Sequence, residues 1–112
     1  MTNPLLAQFI PEARDLIQTS ATGLLKLEDN PHDAAVVNEV FRAVHTLKGS
    51  SGLFEVVALT RLVHAAEDIL GAIRVDELAL SPEIVDRLLE SLDRVGEWID
   101  HLERHETLPP LR

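Results

Sequence analysis

The sequence contains no cysteine, few aromatic residues and little positive charge. Without cysteine it can form neither a disulfide framework nor a thiolate-bound metal site, and this absence fits a reducing cytoplasm. The 10 lysines and arginines stand against 19 aspartates and glutamates, for a formal net charge of −9. Because binding to nucleic acid or to an anionic membrane surface needs clustered cations, we expect neither as a partner.

Long apolar runs and nucleotide-binding motifs are also absent from the sequence. No apolar run reaches the roughly 18 residues that span a bilayer, and residues 1–15 lack the basic stretch of a secretory signal. The chain is therefore predicted to be cytoplasmic, without direct membrane insertion. It has no P-loop, no GxGxxG and only five glycines, so we expect no site for nucleotide phosphates.

The residues that are abundant predict helices. Apolar residues make up 46% of the chain, mainly Leu, Ala and Val, and they recur at spacings of three and four. Four helices are predicted, over about 5–27, 34–54, 56–74 and from Pro82 to a fraying end near Thr107. Their apolar stripes are Phe9, Ala13, Leu16, Ile17, Leu24 and Leu27; Val37, Val40, Phe41, Val44, Leu47, Ser51 and Phe54; Leu59, Leu62, Val63, Ala66, Ile69, Leu70 and Ile73; and Ile84, Leu88, Leu92, Val95, Ile99 and Leu102.

Capping residues mark where three of these helices begin. The typical signals for a helix N-terminus are found at Asn3, at Asp33 and at Ser81. Asn3 and Ser81 are each followed by a proline, which is favoured at the first helical position. Pro11 conflicts with the first helix because it lacks a backbone donor and clashes with the preceding turn. We therefore expect either a kink in that helix or a separate short helix before Pro11.

Four helices with single apolar stripes and short connections predict an all-α, up-down-up-down four-helix bundle. The bundle is expected to occupy residues 1–107. The proline-rich end, residues 108–112, is interpreted as the start of a linker.

The sequence HTLKGSSG, residues 45–52, stands out within the second helix. With Val44 at the centre of the apolar stripe, His45 lies about 100° round, on the flank, together with Gly49 and Gly52. Each glycine costs a helix about 1 kcal/mol relative to alanine. This cost is reasonable if a partner must approach the backbone. Tight helix packing or fraying of the helix end explains Gly49 equally well and is the favoured explanation for Gly52, which lies near the helix end. Lys48, three residues from His45, is placed to offset negative charge added to the ring.

The third helix offers a carboxylate on a matching flank. With Ala66 at the centre of its stripe, Glu67 lies about 100° away, and His64 lies one turn earlier. If the two flanks meet, Glu67 can hydrogen-bond one ring nitrogen of His45 and leave the other free as a nucleophile. Taken singly, each of these polar residues is also consistent with an ordinary surface position.

The segments FRAVHTLKGSSGLF and LVHAAEDIL strongly resemble the histidine phosphotransfer domain at the N-terminus of the chemotaxis histidine kinase CheA. The resemblance covers nearly the whole chain. It implies that His45 is the phosphorylated residue, that Lys48 and Gly49 are the family's lysine and glycine beside it, and that His64 and Glu67 are its supporting pair. Gly52 matches at family-like spacing.

The resemblance also implies partners. A separate kinase domain would supply ATP and magnesium, and a CheY-like response regulator would supply the acceptor aspartate, docking near Leu53 and the exposed part of the first helix. The domain alone would bind no cofactor and would not phosphorylate itself. Glu55 and Val75 occupy positions where the family often has glycine, which leaves the geometry of those two loops open.

Three alternatives remain. The chain is also consistent with a phosphotransfer module of a relay outside chemotaxis, or with a helical adaptor that has no chemistry. A metal-binding bundle is the third, because His101 and His105 are four residues apart on one helix. The Glu-x-x-His motif of carboxylate-bridged di-iron bundles does not occur, however.

Overall fold

The computed structural model describes residues 4–52 and 57–105, except for the side chains of Val57 and His105. These residues form four helices: α1 (Pro4–Asp29), α2 (Ala34–Ser51), α3 (Val57–Arg74) and α4 (Pro82–His105). The predictions for Asn3, Leu53, Phe54, Glu55, Thr107 and residues 108–112 lie outside the described residues.

The helices pack in a ring. Helix α1 contacts α2 and α4, and α3 contacts the same two helices from the other side. This arrangement confirms the predicted all-α four-helix bundle. None of the described helices is both long enough and apolar enough to cross a membrane.

The core lies along the axis of the bundle and follows the predicted stripes closely. Leu24, Val40, Leu59 and Leu88 are among the side chains that are almost fully buried, and burial of each such side chain contributes about 1.5–3 kcal/mol. Predicted members at the edges of the stripes are only partly buried: Leu16, Ile17, Phe41, Leu62, Ile69 and Ile84. In α4, Val85 is buried more deeply than its neighbour Ile84, so the stripe is rotated slightly from the predicted one.

The predicted helix starts at Asp33 and Ser81 are confirmed. The Asp33 side chain accepts a hydrogen bond from the Val36 amide at 3.2 Å, and the Ser81 hydroxyl accepts one from the Ile84 amide at 3.3 Å. Both bonds satisfy amide groups that have no partner within the helix.

The separate short helix predicted before Pro11 does not form, because α1 runs through Pro11 without interruption. Both Pro11 and Ala7, whose carbonyl would otherwise receive the missing bond, are exposed. Water can therefore take the place of the lost backbone donor, which lowers the cost of a proline at this position.

Helix α2 ends earlier than predicted, whereas α3 ends at Arg74 as predicted. Helix α2 ends at Ser51, and the amide of Gly52 caps the carbonyls of Lys48 and Ser50. After α3, the left-handed residue is Asp76, with φ of 61°, rather than its neighbour Val75. Val75, at the position where the family often has glycine, therefore does not need a left-handed backbone, and the residue that adopts it is of a type that tolerates this conformation.

Candidate functional site

The packing of α2 against α3 brings His45 and Glu67 together. The Nδ1 atom of His45 lies 2.6 Å from Oε2 of Glu67. The His45 side chain is 61% exposed, whereas that of Glu67 is only 12% exposed. A largely buried carboxylate therefore holds a ring whose other edge faces solvent, which is the contact that the two helix flanks predicted.

The carboxylate determines which ring nitrogen is free. Glu67 can only accept through Oε2, so the neutral His45 ring must carry its hydrogen on Nδ1 and donate it. Within the described residues, no hydrogen bond involves Nε2 of His45. The unprotonated Nε2 atom, with its lone pair, is consequently the nucleophilic position of this site.

Lys48 binds the other oxygen of the same carboxylate. Its Nζ atom lies 2.7 Å from Oε1 of Glu67, and its side chain is 30% exposed. From the sequence, Lys48 was predicted to offset negative charge added to the His45 ring. In the structure, the Lys48 ammonium group forms an ion pair with Glu67. The carboxylate is shared between one ring nitrogen and one ammonium group, so both of its oxygens are occupied.

These contacts keep Glu67 ionised. Burial raises the pKa of its carboxyl group, but the hydrogen bonds from Lys48 and His45, together with their charges, lower it more. The resulting pKa lies below the ordinary value of 4.5. Glu67 is therefore a permanent hydrogen-bond acceptor at neutral pH.

His64 is close to this group but does not contact His45. Its Nε2 atom lies 3.5 Å from Oδ1 of Asp68, and both side chains are exposed. At this distance the contact is weak. The structure thus gathers His45, Lys48 and Glu67 into one connected group and leaves the predicted supporting residue His64 beside it.

The acidic and histidine side chains near His45 include one group that could hold a metal ion, but the group suits a metal poorly. In the described part of the chain, His64, Glu67 and Asp68 form the one group of at least three potential ligands whose atoms lie within 4.8 Å of one another. A cation there would compete with Lys48 for the Glu67 carboxylate. The other predicted metal-binding pair is His101 and His105 on α4. The side chain of His105 lies outside the described part of the chain, so the geometry of this pair is not defined.

The space beside Gly49 and Gly52 is open. Among the described residues, none has an atom within 4 Å of a Cβ atom added at either position. Tight helix packing, one of the explanations left open by the sequence, therefore does not account for them. By contrast, a Cβ atom at Gly23 would collide with the side chain of Val40, so Gly23 is a packing glycine.

One neighbour of His45 was not recognised as part of the site from the sequence. The rings of Phe41 and His45 are nearly parallel, with an interplanar angle of 13° and centroids 6.1 Å apart. The sequence placed Phe41 in the core stripe. Its position four residues before His45, one turn away, is the signal that indicates this contact.

Comparison with known proteins agrees with this geometry. Residues 4–98 match the family described as the Hpt domain. The chain is 38% identical over 95 residues to the chemotaxis protein CheA of Borreliella burgdorferi, and this match covers 85% of the chain and 11% of that protein. The chain thus spans only a small part of the curated relatives that it matches.

Two solved structures are closely similar. The CheA phosphotransferase domain from Thermotoga maritima has a TM-score of 0.85 and 31% identity, over 90% of this chain and 98% of that domain. The phosphorylated P1 domain of CheA3 in complex with CheY6 from R. sphaeroides has a TM-score of 0.85 and 26% identity, over 92% of this chain and 80% of that one.

Proposed function

Because this chain belongs to the Hpt domain family and is of the type found in CheA proteins, we propose that His45 accepts a phosphoryl group from ATP and passes it to a response regulator. The observation that carries this proposal is the exposed His45 ring, held at Nδ1 by a largely buried carboxylate that leaves Nε2 without a hydrogen-bond partner among the described residues. The setting is a cytoplasmic chemotaxis kinase, of which this chain is the phosphotransfer domain.

In the first step, the lone pair of Nε2 forms a bond to the γ-phosphorus of ATP held by a separate kinase domain. The bond from this phosphorus to the bridging oxygen breaks, and its electron pair leaves with ADP. The His45 ring becomes cationic while Nδ1 keeps its hydrogen, and the nearby Glu67 carboxylate stabilises that charge. Phosphoryl transfer depends mainly on such positioning and charge stabilisation.

Lys48 makes this carboxylate compatible with an incoming phosphate. An isolated Glu67 anion would repel the γ-phosphoryl group, but its charge is balanced by the ammonium group 2.7 Å away. The pair therefore orients the ring without adding net negative charge to the approach path.

In the second step, a carboxylate oxygen of an aspartate on a CheY-like regulator attacks the phosphorus. The phosphorus–nitrogen bond breaks, and its electron pair returns to Nε2 of His45. ATP, magnesium and the acceptor aspartate all belong to the partner domains in this scheme. A related P1 domain is known in a complex with a regulator, which supports the same type of partner here.

The direct test is phosphorylation in trans. The purified domain is mixed with a cognate kinase fragment and labelled ATP, and then with candidate regulators. We expect a phosphoryl group on the domain that is stable to base and labile to acid, and that disappears when the regulator is added. A domain that takes up no phosphate from any cognate kinase would contradict the proposal.

Replacing Gly49 with alanine tests whether the open space serves a partner. Nothing in the structure blocks the new methyl group, so the free energy of unfolding should rise by up to about 1 kcal/mol through better helix propensity. If partners approach the backbone beside His45, phosphotransfer should nevertheless become several-fold slower. Chemical denaturation and transfer kinetics measure the two effects separately.

Gly96 provides the matched control. It lies within α4, and a Cβ atom there also meets nothing within 4 Å. Gly96→Ala should stabilise the bundle by a similar amount and leave phosphotransfer unchanged. Equal transfer rates for the two variants would show that the space at Gly49 is not used.

A further inference from the structure

The single hydrogen bond from Nδ1 does not by itself fix the orientation of the His45 ring. The terminal torsion of a histidine side chain is broad, so a ring held at one atom can still tilt about that bond. The side chain is 61% exposed and thus gains little restraint from burial. A second restraint, acting on the face of the ring, would keep Nε2 directed outward.

Phe41 supplies a flat surface in the right place. It lies one turn before His45 on α2 and is half-buried. The two rings are nearly parallel, at 13°, with centroids 6.1 Å apart. This separation is within the range of offset stacked aromatic pairs. Contact with a flat neighbour limits the tilt that the hydrogen bond leaves free.

Phe41 is held in turn from α3. The guanidinium carbon of Arg74 lies over the Phe41 ring, 4.2 Å from its centroid, which is close enough for a cation–π interaction. A hydrogen bond of 3.4 Å connects Nη1 of Arg74 to Oδ1 of Asn38, one turn before Phe41. Arg74 therefore bridges two residues of α2 and covers the ring that stacks on His45.

We propose that Phe41, secured by Arg74, is a positioning residue for phosphotransfer that holds the His45 ring with Nδ1 on Glu67 and Nε2 outward. This inference rests on the proposed function of His45. Arg74 acts only through Phe41, since its charge is engaged with the aromatic face and with Asn38. Neither residue touches the reacting atoms.

Phe41→Leu and Phe41→Tyr separate the flat ring from its apolar volume. Leucine fills much of the space but offers no face to stack on, whereas tyrosine keeps the face. For Phe41→Leu we expect kcat for phosphorylation in trans to fall about 3- to 10-fold, the range set by one aromatic pair, with KM for the kinase fragment unchanged. Phe41→Tyr should recover a rate close to that of the wild type.

The ¹⁵N NMR spectrum of the His45 ring gives a readout that does not depend on phosphorylation. Phe41→Leu should reduce the population of the tautomer with hydrogen on Nδ1, and Phe41→Tyr should restore it. Arg74→Ala changes an exposed side chain and leaves the fold intact, so it should produce a smaller shift in the same direction.

Trp98 on α4 is the matched control, because it is also a half-buried aromatic residue packed against the core. Trp98→Leu should lower stability but change neither kcat nor the tautomer population. The inference is overturned if Phe41→Leu leaves both quantities at their wild-type values, or if Trp98→Leu alters them as much. A wild-type domain that takes up no phosphate would instead refute the proposed function, and the tautomer measurement would still decide the role of Phe41.

Discussion

Replacing His45 with glutamine should abolish phosphorylation of this domain. The amide of glutamine has no nucleophilic lone pair comparable to that of Nε2, so no bond to phosphorus can form. The amide can still donate to Glu67, and the position is largely exposed, so the stability should change by no more than about 0.5 kcal/mol. Labelling with ATP and a kinase fragment measures the first effect, and thermal denaturation the second.

The same substitution at His64 is the control. Its ring is similarly exposed but contacts Asp68 rather than Glu67. His64→Gln should therefore still take up phosphate, which would also show that His64 is not an alternative acceptor. Normal labelling of His45→Gln would be incompatible with His45 as the phosphoacceptor, and loss of labelling in both variants would show that His64 is also required.

Replacing Glu67 with glutamine should have the second largest effect. Glutamine has one acceptor oxygen in place of two, so it cannot serve both His45 and Lys48 as the carboxylate does. It also carries no charge to stabilise the cationic ring. We expect kcat for phosphorylation to fall by roughly 10- to 100-fold, as is typical when the residue that orients a functional histidine is lost. Circular dichroism should show an unchanged helical content.

Asp68→Asn is the appropriate comparison for this loss of charge. The two acids are adjacent, and both substitutions remove one negative charge, but Asp68 is exposed and contacts only His64 among the described residues. The phosphorylation rate of Asp68→Asn should stay within about twofold of the wild-type rate, since a surface ion pair such as His64–Asp68 contributes little. If both variants slow transfer equally, net charge rather than ring orientation is responsible.

Stability measured against pH gives an independent check on Glu67. Because its folded pKa lies below the unfolded value of 4.5, ionised Glu67 stabilises the fold at any pH above that value. This contribution must disappear as the pH falls through the folded pKa. The difference in free energy of unfolding between the wild type and Glu67→Gln should therefore shrink as the pH falls below roughly pH 4.5. A difference that does not depend on pH would contradict the lowered pKa.

The helices and the core could be predicted because they depend on local periodicity and capping. Apolar spacing placed four helices within a few residues of their observed bounds, and Asp33 and Ser81 marked two helix starts. The separate short helix expected before Pro11 does not form, and the sequence does not show that both Pro11 and Ala7 would be exposed to solvent. The end of α2 at Ser51 lies a few residues before the predicted end.

The sequence by itself determined the candidate residues and the helix face on which each one lies, since every residue of a helix turns by about 100°. Only the tertiary structure decided which of them bond to one another. It joined His45 and Lys48 of α2 to Glu67 of α3 and placed Arg74 of α3 over the Phe41 ring. The contacts of His64 with Asp68 and of Phe41 with His45, by contrast, join residues four apart on one helix. Contacts between helices depend on their relative register and rotation and on the side-chain rotamers, and none of these follows from the periodicity of a single helix.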